Sequence, residues 1–244
     1  MPPITDDAYV LRHWPFSETS QTVALFGKEH GVLRGLAKGA HRERGAFSGG
    51  FETLDMGQIV AIIKPNSDLA ILTEWSLVRR PRSIYLSLAA HRAALYMADL
   101  VRHTCTDADP HPALWDSMDG AMRALDEGND PMGIALRFQW AILEETGHRP
   151  EISAPQNGDS DAAVFGFDPA AGRVLEDPGR HHVGPEIWRI RASTLGLLRS
   201  LNDGESETSP DRETLERANL FLASCLRWVL GRELPTMTAL FEQG

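Results

Sequence analysis

The 244-residue chain has only two cysteines, Cys105 and Cys225. Two thiols cannot make a disulfide framework or a four-thiolate zinc site, and their scarcity fits a reducing compartment. Lysine is almost as rare, with Lys28, Lys38 and Lys64 the only three. Lys and Arg number 24 against 34 Asp and Glu, a net charge of −10. That balance excludes a strongly basic nucleic-acid coat over the whole molecule. No apolar run approaches the roughly 20 residues that a membrane span needs. The opening Met-Pro-Pro-Ile-Thr-Asp-Asp has neither the basic start nor the apolar core of a signal peptide. The expectation is a soluble, cytoplasmic protein with no membrane partner. Familiar catalytic signatures are missing as well. Gly35-Leu36-Ala37-Lys38-Gly39 lacks the hydroxyl residue with which a phosphate-binding loop holds magnesium, and there is no Gly-x-Ser-x-Gly and no His-Glu-x-x-His.

What is present is a chain with 42% apolar residues, enough for a packed core and too many for wholesale disorder. Its length suits one large domain or two small ones. The charge is divided unevenly. Residues 1–82 hold 10 basic and 9 acidic side chains, whereas residues 83–244 hold 14 and 25. The pattern changes at the same place. Short β-rich runs at 8–12, 22–27, 31–37, 53–63 and 69–78 are separated by turn residues, among them Pro65-Asn66-Ser67-Asp68. Five such strands suit a small closed barrel, since an open sheet of that size would leave exposed edges. Beyond Arg80-Pro81-Arg82 the period becomes helical, with stripes at Ile84/Leu88/Leu95/Ala98, Leu114/Met118/Ala121/Leu125, Ile134/Phe138/Ala141 and Leu215/Ala218/Leu222/Cys225/Val229. Asp109-Pro110 and Asp130-Pro131 read as helix starts, Gly128 and Gly147 as stops. The Pro-, Gly- and Asp-rich stretch 150–184 reads as a long loop or irregular insert.

Three groups could carry chemistry. His181-His182 with Asp168 and Asp177 upstream could hold a metal, or could be a solvated polar loop, since the spacing matches no known ligand pattern. His91 lies on a helix face with apolar neighbours, as a core or edge histidine would, and Cys225 reads as a small core residue. The strongest local signal is basic. Lys28, Arg34, Lys38, Arg42 and Arg44 fall within 17 residues, with His30 and His41 among them, and glycines punctuate the run. Such a segment could track phosphates through counterion release, with Phe16, Phe26, Phe47 or Phe51 stacking on bases where exposed. It could equally be a solvated loop beside core phenylalanines.

The order Tyr9-Val10-Leu11-Arg12, Trp14-Pro15-Phe16-Ser17-Glu18-Thr19-Ser20, Leu25-Phe26, Glu29-His30-Gly31 and Ala37-Lys38-Gly39-Ala40-His41-Arg42 resembles the N-terminal region of the RecO family of bacterial DNA repair and recombination mediator proteins. Phe51-Glu52-Thr53-Leu54 and Leu72-Thr73-Glu74 continue it. The stretch Ala135-Leu136-Arg137-Phe138 with Gly147-His148-Arg149-Pro150, and the run from Phe221 to Pro235, are similar to later family elements. The resemblance implies an α+β protein: an oligonucleotide-binding (OB-fold) barrel over 1–80, then an all-α helical domain over 81–244 with an irregular insert at 150–184. It implies no enzyme turnover and no cofactor. It implies binding of single- and double-stranded DNA, annealing of complementary strands, and a nucleoid-associated role with RecR in loading RecA onto DNA coated by single-strand-binding protein. Many members carry a four-cysteine zinc module between the helices. Here the matching positions hold residues such as Pro155, Glu176 and Asp177, so a zinc-free insert is expected. The DNA-binding candidates are Lys28, Arg34, Lys38, His41, Arg42 and Arg44. For the acidic tail of single-strand-binding protein they are Arg137, Arg123 and Arg92, with an ion pair to Glu144 as the other reading of Arg137. The barrel itself does not tell DNA from RNA, so an RNA-binding protein stays open, as does a metal-dependent nuclease or phosphatase using the 168–182 loop.

Overall fold

The computed structural model describes residues 2–40, 46–47, 50–64, 67, 69–153, 163–179, 182–204 and 210–241. The chain divides into two compact units, Met1–Pro131 and Met132–Glu242.

The first unit opens with β1 (Ile4–Pro15), β2 (Gln21–Gly27), β3 (Gly31–Ala37), β4 (Met56–Ile62) and β5 (Ala70–Arg79). They close into a barrel of order β1-β2-β3-β5-β4, antiparallel except where β3 meets β5. Alternation sets the inward face. Val10, Val23, Leu25, Leu33, Ile59 and Leu72 fill the core together with Phe47, Phe51 and Trp75. The β2–β3 turn is fixed by a buried carboxylate. Asp6 accepts from the backbone N–H of Glu29 and His30 and lies 2.9 Å from His30 Nδ1. A Cβ at Gly27 would sit 2.3 Å from that carboxylate, so glycine is required there. β1 contains a bulge. Val10 faces Leu25 but Arg12 faces Ala24, leaving Leu11 as the extra residue.

Three helices complete this unit: α1 (Arg82–Leu86), α2 (Leu88–Thr104) and α3 (Pro112–Asp126). The expected stripe through Ile84 and Leu88 is interrupted. Ser87 is extended and caps α2 by accepting from Ala90 N–H, which leaves Leu88 65% exposed. α3 latches onto β2 through Trp115 Nε1, which donates to the Phe26 carbonyl. By compactness α1–α3 group with the barrel, and a boundary at 80/81 is kept as our proposal for the change from barrel to helices.

A polar network ties α3 to the barrel. Tyr9 Oη donates to Asp119 Oδ1 at 2.6 Å, and Arg79 and Arg123 bond the same carboxylate. Burial works to raise the Asp119 carboxyl, but hydrogen bonds from Tyr9, Arg123 and Arg79 outweigh it and hold it at about 2. Burial, reinforced by the bond to Asp119, pushes the Tyr9 phenol well up. A carboxylate depressed in the folded state stabilises above its ordinary range near 3.8, and that contribution disappears as pH falls toward 2. Asp119→Asn is therefore expected to flatten the acid limb of the stability profile, read as urea midpoints between pH 6 and pH 2.

The second unit holds α4 (Pro131–Glu145), β6 (Val164–Asp168), β7 (Arg173–Leu175), β8 (Trp188–Arg191), α5 (Ala192–Asn202), α6 (Arg212–Leu230) and α7 (Pro235–Phe241). α4 and α6 are joined by Gln139 Nε2 donating to Asn219 Oδ1 at 2.8 Å, both side chains fully buried. The expected stop at Gly147 holds, in the left-handed conformation at φ +74°. The α+β class stands, but the expected irregular insert is different. Its described part supplies β6 and β7, which join β8, just beyond the expected insert, in an antiparallel sheet of order β7-β6-β8. Phe165 and Phe167 alternate with Gly166 and are buried, and Phe167 packs edge-on to Phe221 at 4.9 Å. Strands of five, three and four residues are too short to be read among flanking prolines and glycines.

Candidate nucleic-acid interface

The bulge in β1 turns the remainder of the strand over. Without it Leu11 would face outward; with it Arg12 pairs with Ala24 and Trp14 with Thr22, both on the outer surface. Ala24 pairs in turn with Arg34, and Thr22 with Leu36. Two rows therefore cross the outer face of β1, β2 and β3: Arg12–Ala24–Arg34 and Trp14–Thr22–Leu36. Arg12 lies 5.5 Å from the centre of the Trp14 ring. A groove of about 350 Å³ runs over this face, lined by Trp14, Thr22, Ala24, Val32, Arg34 and Leu69, with Arg102, His103 and Asp107 on one side. Phe16, in the β1–β2 loop, is 62% exposed. The loop's far end touches the turn after β3, since Gly39 N–H donates to Ser20 Oγ. Lys38 stands exposed in that turn, and Lys64 stands exposed where β4 enters the β4–β5 loop.

This face offers two kinds of contact. Arg12, Arg34, Lys38 and Lys64 can neutralise phosphates; Trp14 and Phe16 can stack on bases without reading sequence. In OB folds the face of strands 2 and 3, with the β1–β2 and β4–β5 loops, is where oligonucleotides bind.

The expected basic cluster is only partly brought together. Arg34 and Lys38 lie on one side, but Lys28 sits in the turn at the other end of β3, about 20 Å from Lys38 at 3.3 Å per residue. Lys28 is also engaged, 2.9 Å from Asp116 and 4.9 Å from the Trp115 ring centre. The Asp116 hydrogen bond holds its ammonium above the ordinary range. His41, Arg42 and Arg44 lie outside the described residues. Of the four phenylalanines considered for stacking, Phe26, Phe47 and Phe51 are core residues, 0%, 5% and 0% exposed; Phe16 alone is available. Arg12 and Trp14 are not among the residues the sequence pointed to. The sequence carries no clear signal for them: the bulge at Leu11 follows the apolar run Tyr9-Val10-Leu11, but the longer run Val23 to Phe26 in β2 pairs with β3 in regular register.

The other candidates separate. Arg92 on α2 and Arg123 on α3 belong to the first unit, and Arg123 is held by Asp119 at 2.8 Å. Arg137, on α4 of the second unit, is exposed and makes no ion pair among the described residues. Its expected partner Glu144 instead bonds Arg149 at 2.6 Å.

Residues for a metal do not fit. Asp168 accepts from the N–H groups of Ala170 and Ala171 in a turn. Asp177 bonds Arg189 and Gly179 N–H, and the Arg189 hydrogen bond holds its carboxyl low. His182 Nε2 lies 3.1 Å from the Pro185 carbonyl oxygen. His181 lies outside the described residues. Burial pushes the Cys225 thiol up to about 12, the wrong direction for a thiolate ligand. Among the described residues no three His, Cys, Asp or Glu side chains are placed to share an ion.

A barrel with this face also has a recognisable lineage. The profile for Recombination protein O N terminal matches residues 1–81, and that for Recombination protein O C terminal matches residues 87–238. The chain belongs to the RecO family. Among its relatives, DNA repair protein RecO of Rhodopirellula baltica is 32% identical over 238 residues, covering 95% of this chain and 86% of that protein. DNA repair protein RecO of an Anaeromyxobacter species (strain Fw109-5) is 30% identical over 242 residues, covering 96% and 94%. The Bacillus subtilis RecO is 25% identical over 190 residues, covering 75% and 74%. This RecO family member is thus a DNA repair protein by kinship, with an OB-like barrel at its N-terminus. No described helix is long and apolar enough to cross a membrane.

Proposed function

We propose that this chain is a recombination mediator that binds single- and double-stranded DNA on the outer face of β1, β2 and β3, anneals complementary strands, and with RecR helps load RecA onto DNA coated by single-strand-binding protein. The reading assigns it no covalent turnover and a place at the nucleoid. The observation that carries it is the paired rows Arg12–Ala24–Arg34 and Trp14–Thr22–Leu36, which set cations beside an aromatic platform on a RecO-family barrel. Few phosphate contacts give modest, salt-sensitive binding. That suits annealing, because a strand held too tightly cannot be released into a duplex. The acidic tail of single-strand-binding protein is assigned to the second unit around Arg137, whose exposed guanidinium is open to a carboxylate.

The experiment is an annealing assay on complementary strands, bare and coated with single-strand-binding protein, with and without RecR. The wild-type chain accelerates annealing in both cases and displaces the coating protein with RecR present. Arg137→Ala leaves bare-strand annealing unchanged and slows annealing of coated strands. No acceleration with either substrate contradicts the proposal. A parallel competition between single-stranded DNA and RNA of equal length separates it from an RNA-binding role.

A further inference from the structure

Arg34, at the centre of the proposed DNA face, already has an anion beside it. Its Nε lies 3.2 Å from Asp107 Oδ2, and both side chains are about half exposed, at 60% and 49%. Asp107 does not belong to the barrel. It comes from the link between α2 and α3, and that link is fastened to the barrel. Asp107 bridges to Val32 in the parallel sense, and Ala108 N–H donates to the Val32 carbonyl at 2.8 Å. This covers the part of β3 that precedes its pairing with β5, which begins at Gly35. The approach is close. A Cβ at Gly31 would fall 2.0 Å from the Asp109 carbonyl oxygen, and Ala108 takes a left-handed φ of +59° to make the turn. The Asp107 backbone is therefore held beside β3 independently of the carboxylate's attraction to Arg34. The groove's second flanking cation is restrained in the same way, since Arg102 Nη2 bonds Asp99 at 2.8 Å.

We infer that Asp107 is an affinity-limiting residue, a carboxylate anchored beside β3 through its backbone that competes with a DNA phosphate for Arg34 and keeps single-strand binding weak enough to reverse. The inference rests on the proposal that this face binds DNA. A phosphate reaching Arg34 must either displace the ion pair or sit beside a like charge, and both reduce the gain from the contact. An exposed pair of this kind contributes little to folding, so its removal acts mainly on binding.

The test is Asp107→Asn, which keeps the side chain's size and leaves the Val32–Ala108 backbone bond in place. A fluorescein-labelled oligothymidylate is titrated with the full chain by anisotropy over a series of salt concentrations. The expected result is an about fivefold lower Kd at low salt, the effect of releasing the unit charge of Arg34 to act on a phosphate about 4 Å away in water. The slope of log K against log salt steepens by up to about 0.7, as the partial contact at Arg34 becomes a full one. Asp109→Asn, two residues along and exposed, controls for net charge and leaves Kd near wild type. Arg34→Gln and the double variant Arg34→Gln/Asp107→Asn complete the cycle, and in the Arg34→Gln background the Asp107 change has no effect. An unchanged or weaker Kd for a normally melting Asp107→Asn protein overturns the inference, as does an equal gain with and without Arg34. If Arg34→Gln itself leaves binding unchanged, the proposed DNA face fails instead, so the two failures are distinguishable.

Discussion

Arg80→Met is expected to lower the unfolding free energy by about 3–5 kcal/mol, the range for removing one partner of a buried ion pair. Asp55 lies in the segment leading into β4 and its side chain has no exposed surface. Arg80, just past β5, bonds it with two nitrogens: Nε at 2.9 Å from Oδ1, and Nη2 at 2.5 Å from Oδ2. Methionine keeps much of the apolar stem but leaves a carboxylate buried without its cation. The reverse substitution should be milder. In Asp55→Ala the stranded group is a guanidinium that is 37% exposed and can rehydrate, so the loss is about 1–3 kcal/mol, that of a charge-assisted hydrogen bond. Urea unfolding of both variants checks the order. Equal losses, or a larger one for Asp55→Ala, would show that the pair's cost does not lie in the buried carboxylate. Against a total stability of roughly 5–15 kcal/mol, the Arg80 change leaves a marginal protein.

The second large effect concerns binding. Replacing Arg12, Arg34 and Lys38 together with glutamine is expected to weaken single-stranded DNA binding about 100-fold at low salt, taking about 1 kcal/mol for each charge near a phosphate. The slope of log K against log salt should become shallower by about 1.4–2, from the loss of the Arg12 and Lys38 contacts and of the partial contact that Arg34 makes beside Asp107. All three side chains are exposed, so melting should change little. Lys28→Gln gives the contrast. Lys28 is already neutralised by Asp116 at the far end of β3, and its loss should leave the slope unchanged. A slope that responds to Lys28 and not to the triple variant would move the site to the other end of the barrel.

The contrast between Lys28 and Arg12 shows where sequence reasoning reached and where it stopped. Strands 31–37 and 22–27 were legible because the tight link Gly27-Lys28-Glu29-His30-Gly31 separates two short β-rich runs, and β2 and β3 occupy nearly those residues. The helical stripe Ala218/Leu222/Cys225 was legible for the same reason, and these residues are buried on α6. Proximity along the chain was a poor guide to proximity in space. Lys28 and Lys38 are ten residues apart, but an extended strand carries them to opposite ends of the barrel. Arg12 joined the site through a bulge, which reverses the facing of every later residue in its strand. Asp107 was not visible at all, because it reaches the barrel through a link between helices about 70 residues beyond β3. The short strands of the second unit were hidden by the Pro, Gly and Asp around them.

On the proposed reading, single-stranded DNA lies across the outer face of β1, β2 and β3. Photo-cross-linking of the full chain to an oligothymidylate, with adducts mapped by mass spectrometry, tests it directly. Adducts are expected on Trp14 and Phe16, lost when both are replaced by leucine and competed by unlabelled single strands. Adducts confined to residues 132–241, or undiminished in the Trp14→Leu/Phe16→Leu variant, would contradict it.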